Sequence, residues 1–238
     1  MNAQYAHLMA VCFAGLFSLA PLSFYLCWLA GVNRRPQPTV VSGVWDFVGV
    51  FAALFGFLLV GGAVLLSLVA NNGRLFTDGN VDRLKMVFEV QWLTWLALLI
   101  GYTGLVLVVA AAGLRGRVRS LAVYNLDADA AERVVAAALE RSGLPARRMG
   151  DLWVETAANG RRLVEVKTFH GTAHTTIRLV CPHGRVREDI ERHLRSELAA
   201  AETGPGPAAP WFSSLAIASV MVVVACVGMI AYVVFFAR

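Results

Sequence analysis

The sequence predicts an α-helical membrane protein with four transmembrane helices and a small α+β domain inserted between the third and the fourth. Three observations support this fold class. The chain is 58% apolar, against roughly 45–50% in soluble domains. Asp, Glu, Lys and Arg are absent from residues 1–33, 47–73, 90–114 and 211–237. Charged residues run instead through 115–203, where apolar residues recur at strand and helix spacing.

The four uncharged stretches are the candidate spans. Each is longer than the ~20 residues that cross the hydrocarbon core, and a charge at the centre of a span costs about 2.5–3.5 kcal/mol. We expect spans at 6–32, 46–70, 90–113 and 211–236. The chain then divides into a three-helix transmembrane region (1–114), a soluble α+β domain (115–203), a Gly/Pro linker (204–210) and a fourth transmembrane helix (211–238).

The connections between the spans are more polar. Residues 36–44 are expected to form a loop, and residues 71–88 a turn followed by a short amphipathic segment at the membrane surface. The linker contains Gly and Pro at a density that cannot continue a helix, so we expect it to be flexible.

The soluble domain is predicted to be a two-layer α+β sandwich with the order β-α-β-β-β-α. Asp127 is a good N-cap for the helix that follows it, and Asn159-Gly160 between two alternating strands predicts a hairpin. An i, i+4 stripe of apolar residues marks the last helix. The predicted strands are 120–126, 151–156, 161–170 and 174–180, and the predicted helices are 128–142 and 185–200.

Alternation along these strands predicts one apolar face, which the two helices cover, and one wet face. The wet face is the best candidate for a partner surface, because exposed Trp is enriched at interfaces. The residues assigned to this surface are Trp153, Glu165, Lys167 and Arg178. In the second span, Ala52 and Gly56 form a small-xxx-small pair, a candidate helix-packing face.

The distribution of Lys and Arg near the spans predicts the orientation. An outside N-terminus puts five basic residues inside, Arg34, Arg35, Arg115, Arg117 and Arg119, against three outside, Arg74, Arg83 and Lys85. We therefore expect a multi-pass protein of the cell membrane, with its N-terminus outside and 115–203 in the cytoplasm.

The sequence assigns no catalytic, cofactor-binding or metal-binding residue. It contains no P-loop or Gly-rich dinucleotide turn, and its basic residues are not clustered as in nucleic-acid binders. Within 170–183, the side chains His170, His174, Cys181 and His183 are spread along the predicted strands by roughly 20 Å, which is too far for one metal ion.

These observations favour a non-enzymatic interaction or regulatory component with a cytoplasmic α+β domain. Its expected partners are the lipid bilayer and a protein at the soluble domain, with homo-oligomers left open. Two alternatives remain. One is a subunit of an oligomeric channel or permease, packed through the small residues of the second span. The other is a membrane-bound enzyme with an unrecognised site that uses His7, Asp46 or Glu89.

Overall fold

A computed structural model of the 238-residue chain describes residues 3–69, 81–156, 160–169, 171–181, 183–204 and 206–236. The chain forms two compact units. The helical unit comprises Met1–Leu26, Val50–Ala112 and Leu215–Arg238. The sheet unit comprises Cys27–Gly49 and Gly113–Ser214.

Six helices occur in the described part of the chain. They are α1 (Ala3–Val32), α2 (Gly43–Val69), α3 (Val81–Arg117), α4 (Ala128–Arg141), α5 (Gly184–Ala200) and α6 (Ala209–Phe236). Four of them are long and apolar enough to cross a membrane, which confirms the four long apolar helices predicted from the sequence. The apolar segments are Leu8–Val32, Gly43–Gly62, Trp92–Arg117 and Ala209–Phe236.

Helix α3 begins well before the predicted third span. The sequence prediction placed a loop with an amphipathic segment at 71–88, and 70–80 of it lies outside the described residues. From Val81 onward the chain is already helical and continues to Arg117 without a break. Leu, Lys, Met and Glu all occur just after Val81. They are good helix formers because they lose little rotamer freedom in a helix, and this explains the early start of α3.

The described strands form one six-stranded antiparallel sheet with the order β1-β2-β6-β5-β4-β3. The strands are β1 (Thr39–Ser42), β2 (Ser120–Tyr124), β3 (Ala146–Met149), β4 (Leu152–Glu155), β5 (Arg162–Phe169) and β6 (His174–Leu179). The predicted order β-α-β-β-β-α was therefore incomplete, because it lacked the two edge strands β1 and β3.

The edge strand β1 lies in the segment that was predicted to be a polar loop. Its four residues pair with β2, from Thr39 opposite Tyr124 to Ser42 opposite Leu121. The sheet unit is consequently assembled from two separate stretches of chain. The run Thr-Val-Val-Ser does not alternate apolar and polar side chains, so no local pattern predicts this strand.

One face of the sheet is covered by α4 and α5. Asp127 caps α4, since its Oδ1 accepts a hydrogen bond from the Ala130 amide at 2.6 Å, as predicted. Helix α5 buries Ile190, Leu194 and Leu198 in the stripe that the sequence indicated. The buried side chains of this core include Leu121, Val123, Val135, Leu139, Val164, Ile177, Leu179, Ile190, Leu194 and Leu198.

The segment that precedes α6 is held by specific hydrogen bonds, although the sequence suggested a flexible linker. The Gly206 amide donates to the Asn33 carbonyl at 2.9 Å. Asn125 donates from Nδ2 to the Arg35 carbonyl at 2.6 Å and to the Thr203 hydroxyl at 3.1 Å. These contacts fix the end of the linker against the chain that follows α1, within the sheet unit.

Candidate functional site

A buried pair of polar side chains joins the first turn of α2 to the sheet. Asp46 is 7% exposed and Tyr124 is 5% exposed. The Tyr124 hydroxyl donates a hydrogen bond to Asp46 Oδ1, and Nη1 of Arg117 lies 3.7 Å from Asp46 Oδ2. The hydrogen bond and the nearby cation compensate for removing the carboxylate from water.

The local fold explains why these three side chains meet. Tyr124 ends β2 and points away from the α4–α5 core, because Leu121 and Val123 point toward it and side chains alternate along a strand. Asp46 lies in the first turn of α2, where an acid is favoured by the helix dipole. Arg117 is the last residue of α3.

His174 completes this arrangement from the neighbouring strand. It pairs with Tyr124 across β2 and β6, with ring centroids 4.7 Å apart, and stacks on Phe169 at 5.9 Å. Its Nε2 atom is buried and has no hydrogen-bond partner among the described residues. We call Asp46, Arg117, Tyr124 and His174 the polar cluster; all four belong to the sheet unit.

The imidazole of His174 is held in its neutral form by its surroundings. Burial lowers the pKa of His174 below its ordinary value, the Asp46 carboxylate opposes that shift, and the Arg117 cation adds to it. Desolvation is the largest of these effects, because a charged imidazole loses its hydration in this position.

We expect the stability of the sheet unit to fall as the pH drops below about 6.5, where a free histidine titrates. The folded state resists protonation of His174 and the unfolded state does not, so protons favour unfolding. His174→Gln should flatten this dependence when melting temperatures at about pH 7.5 and about pH 5.5 are compared. Phe169→Leu, which alters the same stack without a titrating group, should leave the dependence in place. An unchanged pH profile in His174→Gln would contradict the assignment.

A basic pocket opens on the same face of the sheet, next to the polar cluster. Its volume is about 210 Å³. Three cationic side chains and one carboxylate line it, together with Gly116, Ser120, Phe169 and Thr176. The four charged residues are Arg117, Glu165, Lys167 and Arg178.

Glu165 organises the cations of the basic pocket. Its carboxylate lies 2.8 Å from Lys167 Nζ and 3.6 Å from Arg178 Nη1. The hydrogen bond from Lys167 lowers the pKa of Glu165, so the acid stays ionised. Lys167 and Arg178 are more than half exposed, and Glu165 is only 19% exposed. The two cations therefore remain open to a ligand while Glu165 fixes their position.

The structure brings together three of the four residues predicted to form a partner surface. Glu165, Lys167 and Arg178 share one face, which we call the polar face. Trp153 lies on the other face, because it pairs with Val164 and packs against the core. The prediction for Trp153 was wrong because Leu152, Trp153 and Val154 are all apolar, so alternation along β4 does not decide which of them faces the core; their pairing partners on β5 decide it.

The predicted helix-packing pair is divided between two environments. A Cβ atom added at Gly56 would lie 2.5 Å from the Phe17 carbonyl oxygen and 2.6 Å from Ser18 Cα. Gly56 therefore allows α1 and α2 of the same chain to approach closely, whereas Ala52 is exposed. This close approach is intramolecular and gives no support to a packing face for a second copy.

The remaining sequence candidates do not converge. His174 and Cys181 lie at opposite ends of β6, His170 lies outside the described residues, and His183 precedes α5. Among the described residues, no group of three His, Cys, Asp or Glu side chains is placed to hold a metal ion. The side chains of His7 and Glu89 also lie outside those described.

Sequence reasoning missed the polar cluster, because its members come from four distant segments of the chain. The sequence indicated Asp46 as a candidate in the enzyme alternative, but nothing in the sequence paired it with Arg117, Tyr124 or His174. The one available signal was the position of Asp46 at the edge of a long uncharged stretch, directly after Trp45.

Comparisons with protein-family models, curated proteins and solved structures find no match. We therefore infer the function from the geometry of the sheet unit.

Proposed function

We propose that this chain is a multi-pass protein of the cell membrane whose α+β domain is a non-enzymatic interaction and regulatory module. In this proposal the polar face of the sheet binds a partner. The polar cluster passes the effect of binding to the ends of α2 and α3. Four helices of sufficient length and apolar character support the membrane assignment.

The observation that carries the proposal is the position of Arg117. Its guanidinium lines the basic pocket on the polar face and also lies 3.7 Å from Asp46. Asp46 belongs to the first turn of α2, and Arg117 ends α3. A ligand that draws Arg117 away from Asp46 would therefore change an interaction at the ends of two helices.

The surroundings of Asp46 and Tyr124 favour a role in connecting the polar face to the ends of α2 and α3 over a role in catalysis. An acid beside a phenol could transfer protons, but general acid–base chemistry needs contact with a substrate. Both side chains are less than a tenth exposed and are bonded to each other. Their arrangement fits a fixed structural connection.

The proposed orientation places the N-terminus outside and 115–203 in the cytoplasm. Support comes from five basic residues on the proposed inner side against three on the outer side. Two tryptophans at helix starts, Trp45 in α2 and Trp211 in α6, are largely exposed, as is typical of membrane–water interfaces.

Cysteine protection in native membranes tests the proposal. Met149→Cys places a thiol on the polar face, because Met149 pairs with Leu152 and Leu152 pairs with Glu165. Ser196→Cys places a matched thiol on the exposed side of α5. Both variants are labelled with a membrane-impermeant maleimide, in inside-out and right-side-out vesicles and after solubilisation in detergent, with the parental chain as background.

We expect both thiols to react from the cytoplasmic side only. In membranes, the thiol at 149 should react more slowly than the thiol at 196, and the difference should disappear in detergent. Equal labelling of the two positions in membranes would overturn the binding role of the polar face. Labelling from the outer side would overturn the orientation.

A further inference from the structure

The polar face of the sheet is divided into a covered half and an open half. Around Tyr124, at one end of β2, it is covered, since Tyr124 contacts Trp28 near the end of α1 and Asp46 at the start of α2. Over β5 and β4 it is open, and it presents Lys167 and Phe169 to solvent. The basic pocket lies at the border between these halves.

The border coincides with the end of a helix that is long and apolar enough to span a membrane. Arg117 is the last residue of that segment, Trp92–Arg117, and it lines the basic pocket. A residue that ends a span lies at the level of the lipid headgroups. The other residues of the basic pocket lie no farther from Arg117 than the width of the pocket. In the proposed membrane arrangement they therefore lie at about the same depth as Arg117.

The chemistry of the basic pocket suits a small anion. Three cationic residues and a single acidic residue line the pocket, together with the polar residues Ser120 and Thr176. The volume of about 210 Å³ falls below the ≈ 300–1,000 Å³ of pockets that enclose drug-sized molecules. Guanidinium and ammonium groups together are the usual protein ligands of a phosphate group.

The apolar surroundings of the basic pocket distinguish between sources of phosphate. Phe169 lines the pocket and is 60% exposed, and Val118, directly after Arg117, is 65% exposed. Exposed apolar side chains beside basic ones are typical of surfaces that lie in the headgroup layer. A site for free phosphate in water has no need of them.

We propose that the basic pocket binds the phosphate of an anionic phospholipid headgroup, with Lys167, Arg178 and Arg117 as the binding cations. Glu165 is a positioning residue that holds two of them in place. This inference rests on the proposed function, since it names the partner of the same polar face. The bound phosphate would compete with Asp46 for Arg117, which connects lipid composition to the polar cluster.

Lipid binding by the full chain in detergent micelles tests this inference. The probes are short-chain phosphatidylglycerol, short-chain phosphatidylcholine and inorganic phosphate, and binding is measured by native mass spectrometry and by displacement of a fluorescent phosphatidylglycerol. A juxtamembrane basic residue contributes about a fivefold change in affinity for anionic lipid. Lys167→Gln with Arg178→Gln should therefore weaken phosphatidylglycerol binding about 25-fold, at roughly fivefold for each residue.

Two further variants distinguish binding at the basic pocket from nonspecific attraction of anionic lipid to surface cations. Arg192→Gln removes an exposed cation from α5, on the opposite side of the sheet unit, and should leave binding unchanged. Glu165→Gln keeps Lys167 and Arg178 but removes the carboxylate that positions them, and it should weaken phosphatidylglycerol binding less than the loss of both cations does. Melting temperatures of all variants verify that each one is folded.

Parental affinity in the double Gln variant would overturn the inference, as would equal binding of phosphatidylcholine. Displacement of the fluorescent lipid by inorganic phosphate at the same concentration as by phosphatidylglycerol would overturn the lipid assignment and indicate a site for soluble phosphate. If the lipid-binding test fails because another partner occupies the polar face, the thiol at position 149 should still be protected in membranes. Loss of that protection is the separate failure of the proposed function.

Discussion

Replacing Leu194 with alanine is expected to lower the free energy of unfolding of the sheet unit by about 2–5 kcal/mol. Leu194 is fully buried in the middle of α5, between Ile190 and Leu198 of the same stripe. Removing three carbons there loses their transfer free energy and leaves a cavity that the surrounding helices and strands fill only partly. No other single change considered for this chain has an expected cost as large.

The thiol of Cys181 offers a direct measurement of this loss. Cys181 belongs to the same core and is 1% exposed, and burial raises its pKa, so it reacts only when the sheet unit opens. Its labelling is followed over a urea series, and mass spectrometry of peptides separates it from Cys12, Cys27 and Cys226.

The control for Leu194→Ala lies on the same helix. Ser196 is exposed, so Ser196→Ala should change the free energy of unfolding by less than about 0.5 kcal/mol. A shift in Leu194→Ala as small as the shift in this control would show that α5 does not pack on the sheet as described.

Replacing Asp46 with alanine is expected to cost about 1–3 kcal/mol, because the buried hydroxyl of Tyr124 would lose the acceptor that Asp46 provides. Tyr124 is 5% exposed and donates to Asp46. The Arg117 ion pair adds little to this figure, since Arg117 is 39% exposed and water screens it. Labelling of Cys181 in urea reports the change, because Asp46 and Cys181 belong to the same unit.

A double-mutant cycle gives this second prediction its control. Tyr124→Phe removes the donor, so adding Asp46→Ala to it should cost much less than Asp46→Ala in the parental chain. Strictly additive costs would mean that the two side chains do not depend on each other, and the polar cluster would lose its role as a connection.

The sequence could predict those elements whose signal adds up along one stretch of chain. Helix α6 is an example, since charge is excluded from every residue between Trp211 and Ala237. Helix α4 is another, because Asp127 caps it and its apolar residues recur at helical spacing. In both cases many weak local preferences point to the same structure.

Features that depend on partners far away in the sequence could not be predicted in this way. Strand β1 is defined by its pairing with residues about 80 positions later. Trp153 took its face from its position opposite Val164, which alternation within the apolar run 152–154 does not show. Within the site, the charges of Glu165, Lys167 and Arg178 were visible in the sequence, whereas their proximity to Arg117 required the fold.

The pairing of β1 with β2 also sets an order of assembly. The connection between α1 and α2 supplies β1, and the strand it protects emerges from the ribosome only after α3 has been made. A fragment cut to 115–203 would leave the amides and carbonyls on one side of β2 unpaired. Such an exposed strand edge promotes edge-to-edge aggregation. The sheet is therefore complete only when the connection between α1 and α2 adds its strand to β2, and residues 115–203 alone do not contain every strand of the domain.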